Sequence, residues 1–195
     1  MSEISFINTN ASELSLDDKE ICRYLNMSSC DEEIYSLIND CKKEVAEASS
    51  PKAVYLKLSV ESENDILCLG FGEICSKNLS KNLSGCKEAF LFCATLGQDV
   101  DRLIKKYSKI EPSKALVLNA VATTMIESFC DLVNERLAEG RSLRPRFSCG
   151  YGDFSINHQA EILNILEAKK RIGVGLLSSC MMTPFKTVTA VVGIA

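Results

Sequence analysis

Residues 113–139 read SKALVLNAVATTMIESFCDLVNERLAE and lie between Pro112 and Gly140. Leu118, Ala122, Met125, Ile126, Phe129, Val133 and Leu137 recur at helical spacing along this run, and a proline at its start with a glycine past its end is normal helix punctuation. The spacing predicts one long central helix. So wide an apolar side needs a surface to cover, and the flanking sequence supplies strands. Residues 89–95 before the helix are strand-like, and residues 186–194 after it alternate and are β-branched.

Further toward the amino end, residues 53–60 alternate, with Val54, Leu56, Leu58 and Val60 on one face. A second apolar run at 66–71 follows the turn signal Glu63, Asn64, Asp65, so the pair predicts a hairpin. Ser76 is placed to cap a short helix through Leu79 and Leu83, and residues 98–107 are helical. Two more helices are expected at 17–24 and 31–48. The second is carried by Ile34, Leu37, Ile38, Cys41 and Val45, capped by Asp31 and stopped by Ser49, Ser50 and Pro51. Residues 1–17 are polar and patternless, which fits a frayed end or an edge. Past the central helix, residues 141–154 carry Pro145, Gly150 and Gly152 and predict an irregular loop. A helix from about 157 to 170 then ends at Lys169, Lys170, Arg171 and Gly173. Helices and strands mix without a βαβ rhythm, which places the chain in the α+β class.

At 195 residues the chain is about one domain long, and 46% apolar with 25% charged residues is ordinary globular composition. Lys and Arg number 22 against 26 Asp and Glu, a formal charge of −4, so there is no electrostatic case for gripping nucleic acid or an anionic membrane. No stretch reaches the roughly 18 consecutive apolar residues of a membrane span, and the start Met1, Ser2, Glu3 lacks the order of a signal peptide. A cytoplasmic location is expected, with the ten cysteines as free thiols. Cys68 and Cys75, like Cys86 and Cys93, lack the close spacing of a zinc knuckle, and no metal is predicted. Cys68, Cys93 and Cys130 read as small buried hydrophobes, whereas Cys149 lies in the loop. An enzyme using Cys149 as nucleophile and His158, the one histidine, as base is one reading, without support from any Gly-x-Ser-x-Gly elbow. Gly70-Phe71-Gly72 would need its third glycine at Cys75, and Gly173-Val174-Gly175 follows a helix, so neither is a dinucleotide loop.

Two segments carry chemistry. Residues 115–126 hold no charge, and then Glu127 appears on the stripe Ala120, Thr123, Thr124, whose small side chains leave room for a cationic ligand. The alternative is a pair with a nearby Lys or Arg at the edge of the core. In the loop, Arg144-Pro145-Arg146-Phe147-Ser148-Cys149-Gly150-Tyr151-Gly152-Asp153 combines two guanidinium groups with glycines that admit close backbone approach. It suits either a zwitterion or a tight turn that is simply basic.

Arg146-Phe147-Ser148-Cys149-Gly150-Tyr151 resembles the Arg-x-x-x-Gly-Tyr motif of the activation (reactivation) domain of cobalamin-dependent methionine synthase, in particular its stand-alone bacterial form. Tyr151-Gly152-Asp153-Phe154, His158-Gln159, Arg171-Ile172-Gly173-Val174 and Met182-Thr183-Pro184 before Lys186 continue the resemblance. Upstream, Ala94-Thr95-Leu96-Gly97 and Ile126-Glu127-Ser128-Phe129 are similar too. The resemblance implies a single α+β domain with a mostly antiparallel sheet packed with helices. Residues 51–195 would form the activation-like region, and residues 1–50 a helical segment of the same domain. It implies a subunit of the methionine-biosynthetic methyltransferase system that binds S-adenosylmethionine and docks over the cobalamin of a separate subunit. With one electron from a flavodoxin- or ferredoxin-like donor, oxidised cob(II)alamin would be methylated back to its active form. Carried over, Arg146 would hold the methionyl carboxylate, Ser148 and Gly150 would contact the nucleoside through their backbone, Glu127 would lie beside the ligand's positive charge, and Tyr151 would face the cobalt. The family's amino-terminal aspartate is carried to neither Asp17 nor Asp18. Val192 stands where an aromatic is expected, and the family form continues beyond Ala195. Those departures leave a second reading: a docking or regulatory subunit of a corrinoid methyltransferase with no ligand of its own.

Overall fold

A computed structural model describes residues 3–27, 31–63 and 66–195; Met1, Ser2 and the Asn64 and Asp65 part of the expected turn lie outside the described residues. The chain starts on a sheet edge with β1 (Ser5–Asn8), followed by a 3-10 turn (Ala11–Glu13). Next come α1 (Asp18–Tyr24) and α2 (Glu32–Ala48), each capped by the aspartate before it: Asp17 accepts the Lys19 amide at 2.9 Å and Asp31 the Ile34 amide at 2.9 Å. The hairpin forms as β2 (Lys52–Glu63) and β3 (Ile66–Leu69), and the chain turns again into β4 (Gly72–Cys75). Gly70 and Phe71 thus belong to a strand connection and not to a phosphate loop. Ser76 caps α3 (Lys77–Asn82) by accepting the Leu79 amide at 3.0 Å.

β5 (Glu88–Thr95) pairs antiparallel with β2 on one side and with β8 (Thr187–Ile194) on the other, giving the order β4-β3-β2-β5-β8 with β1 also on β2. Because side chains alternate along a strand, this curled antiparallel sheet has two apolar faces. Phe90, Phe92, Ala94, Ala190 and Val192 meet α2 and the long helix, while Val54, Leu56, Leu91, Cys93 and Val191 meet a second set of apolar groups around Phe154. α4 (Gln98–Ile110) leads into the central helix, α5 (Pro112–Ala138), with only Glu111 between them. By length and apolar composition α5 could match a bilayer span, yet its Leu118, Val121, Met125, Phe129 and Val133 are buried against the rest of the chain.

The single helix expected at 157–170 is instead a 3-10 turn (Ile156–His158), α6 (Gln159–Ile165) and α7 (Ala168–Ile172). Glu167 adopts the left-handed conformation at φ 48° between them, which re-aims the chain so that Ala168, Ile172 and Val174 reach the same core as Ile162 and Leu166. Its carboxylate is tied to Arg171 Nε at 2.8 Å, and Gly173 at φ 74° ends α7. A two-strand ladder, β6 (Gly175–Leu176) with β7 (Met182–Thr183), precedes β8. Two cysteine expectations need correcting. Cys68 is exposed, because Leu67 and Leu69 take the inward positions of β3. Cys22 is disulfide-bonded, whereas the other eight described cysteines are free; the redox state of a compartment is an average, but a bond needs only two sulfurs at bonding distance.

Candidate functional site

α5 carries an acidic row on the side turned from its core face. Glu127, Asp131 and Glu135 are spaced four apart and so stand on one face, with Thr124 and Ser128 beside them. Arg146 reaches this row from the loop after α5. Its Nη2 donates to Glu127 Oε2 at 3.1 Å and its Nη1 to Asp131 Oδ1 at 2.8 Å, so one guanidinium bridges two carboxylates. The Arg146 side chain is 21% exposed and that of Asp131 68%, which makes Asp131 the easier partner to displace.

The loop holds its position because it extends the sheet. Arg144 N–H donates to Gly193 O at 2.8 Å, and Phe147 and Val191 exchange both backbone hydrogen bonds at 2.9 Å, adding a short rung outside β8. Beyond Phe147 the chain turns away: Gly150 N–H donates to Phe154 O at 2.8 Å and Tyr151 N–H to Ser148 O at 3.2 Å. Gly152 sits at φ 57°, and a Cβ there would come within 2.6 Å of Asn78 Nδ2. Asp153 closes the turn onto α3, accepting the Ser76 hydroxyl and the amides of Lys77 and Asn78. Those bonds, the Ser76 hydroxyl foremost, hold its carboxyl below the usual aspartate range.

Where the loop leaves β8, the outer edge at Thr187–Thr189 borders a cavity of about 470 Å³ lined by Glu127, Ser148, Cys149, Gln159, Met182 and Thr189 among others. Gln159 is buried, accepts the Thr189 hydroxyl at 3.0 Å and contacts Met182 Sδ at 3.3 Å. On the other side of Glu127, a cavity of about 570 Å³ runs between α5 and residues 13–24 and includes Asp17, Glu20, Arg23, Asp131 and Glu135. Glu127 therefore lines both open spaces, while Arg146 holds it from the loop without lining either.

No family model matches the sequence, and no curated protein does. Among solved structures, the crystal structure of the MetH reactivation domain bound to AdoHcy matches with a TM-score of 0.77 at 15% identity, covering 98% of this chain and 78% of that one. The chain has the fold of the MetH reactivation domain. At that identity the likeness is one of fold, the fold expected from the loop motif.

Within that reactivation-domain fold, Glu127 and Ser148 line one cavity, and Arg146 does not line it but is tied to Glu127 from the loop. Gly150 is near but spends its amide on Phe154, and Tyr151 points elsewhere. Tyr151 is 73% exposed; its ring packs edge-on with Phe147 at 5.9 Å, and the residue borders a separate cleft with Lys81 and Arg144. His158 braces the loop: its ring lies against Phe154 at 5.7 Å and its Nδ1 is 2.7 Å from Glu161 Oε2. Cys149 lines the cavity, but burial, with Glu161 nearby, pushes its thiol up to about 12, so the thiolate needed by the Cys149–His158 reading is disfavoured. Val192 is fully buried on the helix-covered face, so the missing aromatic changes the core and not the cavity wall.

Sequence reasoning gave no role to Asp131, quoted Gln159 without expecting its burial, and weighed Asp17 without carrying a role to it. Asp131 was visible as the residue one helical turn beyond Glu127. Gln159 carried no signal of burial, since a polar residue at a helix start reads as exposed. Asp17 is drawn beside α5 only by the packing of α1, for which no local pattern exists.

Proposed function

We propose that this chain is a cytoplasmic S-adenosylmethionine-binding subunit that supports reductive methylation of the cobalamin of a methionine synthase. The observation that carries the reading is the Arg146 guanidinium bridging Glu127, which lines both cavities, and Asp131, which lines the one beside residues 13–24. One guanidinium with two carboxylates leaves a single negative charge. S-adenosylmethionine, with a sulfonium, an ammonium and a carboxylate, has one net positive charge and would neutralise it. The ligand carboxylate takes the Arg146 edge now held by the exposed Asp131, and its positive groups lie against Glu127 and the freed Asp131. The fit is also supported by the AdoHcy bound to the similar reactivation domain. Residues 1–50 belong to the same unit in this reading, since β1 pairs with β2 and α1 and α2 pack on α5.

When bound, the sulfonium supplies the methyl group, a flavodoxin- or ferredoxin-like donor the electron, and the partner subunit the cobalamin. The chain's own residues position and shield. Arg146 and Glu127 orient the ligand, Ser148 and the β8 edge offer backbone groups to its nucleoside, and Tyr151 presents its exposed ring to the docked corrin. Calorimetry of the chain with S-adenosylmethionine tests the reading. Arg146→Ala is expected to weaken binding by about 2–4 kcal/mol, because a charge-assisted pair is lost and a carboxylate left uncompensated. AdoHcy, lacking the sulfonium charge, is expected to bind more weakly. Absence of binding at millimolar concentration, with and without the cobalamin-bearing subunit, would overturn the proposal.

The full occupancy of Arg146 by two acids favours a second reading, a docking subunit of a corrinoid methyltransferase with no ligand of its own. In that case Arg146→Ala would capture the corrinoid protein as efficiently as the parent while neither binds S-adenosylmethionine.

A further inference from the structure

Away from Glu127, a cavity of about 680 Å³ opens between α4, the middle of α5 and the segment entering β8. Its walls carry Arg102, Lys105 and Lys186, against a single lining carboxylate, Asp101. Arg102 is paired with Asp99 at 2.6 Å, which leaves Lys105 and Lys186 as the lining cations without an ion pair among the described residues. Asp101 Oδ2 accepts the Phe185 amide at 2.7 Å, and its charge also acts on Lys186, leaving Lys105 without a lining carboxylate of its own. Lys186 Nζ donates to Asn119 Oδ1 and Thr123 Oγ1, both at 2.8 Å and both uncharged, and no ion pair of Lys186 or Lys105 occurs among the described residues. Burial draws the Lys186 ammonium below its usual range, and the nearby Asp101 carboxylate only partly opposes this. Two hydrogen bonds nonetheless fix its direction and leave one proton free. Ile104 and Phe185 give the cavity apolar walls, and its size is within the usual range for small-molecule pockets, roughly 300–1,000 Å³.

We propose that this cavity binds a phosphate monoester of a compact organic group, with the phosphate on Lys186 and Lys105 and the organic part against Phe185 and Ile104. Two ammonium groups from separate elements suit a dianion better than a single carboxylate, and lysine serves phosphate as a point charge. The proposal is independent of S-adenosylmethionine binding.

The test is calorimetric titration of the whole chain with phenyl phosphate. Saturable binding with Kd on the order of 1 mM or tighter is expected, weaker for inorganic phosphate and absent for phenol. Lys186→Met, which keeps the stem but loses the charge, is expected to weaken binding roughly tenfold, and Lys105→Met several-fold. Lys57→Met, whose lysine is paired with Glu88 on the sheet, should change nothing. Circular dichroism checks that Lys186→Met folds; if it does not, Lys105→Met decides. The site is ruled out by no saturable binding to the parent chain, or by unchanged binding in the folded lysine variants. Inorganic phosphate binding as tightly as phenyl phosphate would remove the organic half of the claim.

Discussion

The two faces of the sheet are covered in opposite ways. One is closed by α5, a single helix of 27 residues, with α2 alongside; the other by α3, α6 and α7, none longer than 7 residues, and by the glycine-bearing turn at 148–154. The continuous helix needs only its own periodicity to bury a face. The pieces depend on particular residues: Ser76 and Asp153 at the start of α3, Glu167 in a left-handed kink, Gly152 where a side chain would collide. The faces meet around the outer edge of β8, where Glu127 from one and Ser148 and Gln159 from the other border one cavity. The continuous face thus supplies Glu127 and the pieced face supplies Ser148 and Gln159.

If stability resides in the α5 face, Phe129→Ala should have the largest effect, about 3–5 kcal/mol by chemical denaturation, because a fully buried ring leaves a cavity between helix and sheet. A loss below about 1 kcal/mol would break the contrast. Gly152→Ala probes the other face. The left-handed backbone predicts a smaller loss of about 1–3 kcal/mol, and strain passed along the turn to Ser148 is expected to weaken ligand binding. Equal damage to stability from both variants would show that the two faces are not energetically distinct.

The smallest effect belongs to Asp153 and depends on pH. Its folded carboxyl is held below the ordinary range, so its contribution is present above the unfolded-state value and fades as pH falls through the folded one. Asp153→Asn should therefore be less stable than the parent near neutrality and converge with it in strong acid, as thermal melts across pH would show. A gap that persists unchanged in acid would point to packing and not charge.

Much of this was legible locally. The limits of α5, the caps at Asp31 and Ser76, the hairpin of β2 and β3 and the final strand follow from periodicity and capping chemistry that act within a few residues. The kink at Glu167 was not, because it is imposed by the need of Ala168 and Ile172 to reach a core already begun by Ile162 and Leu166. Nor was the outward turn of Cys68, which depends on strand register and not on apolar neighbours in sequence.

By itself the sequence determined the α+β class, the long helix and the presence of one acid and one basic glycine-flanked loop as candidates. Only the tertiary structure decided that Arg146 would bridge both Glu127 and Asp131, that Asp17 and Gln159 would join the surrounding cavities, and that Tyr151 would face away from them. The physical reason is range. Helix and turn propensities are settled by neighbours along the chain, whereas a charged cluster drawn from segments 19 residues apart exists only once the loop has paired with β8 and set the reach of the guanidinium.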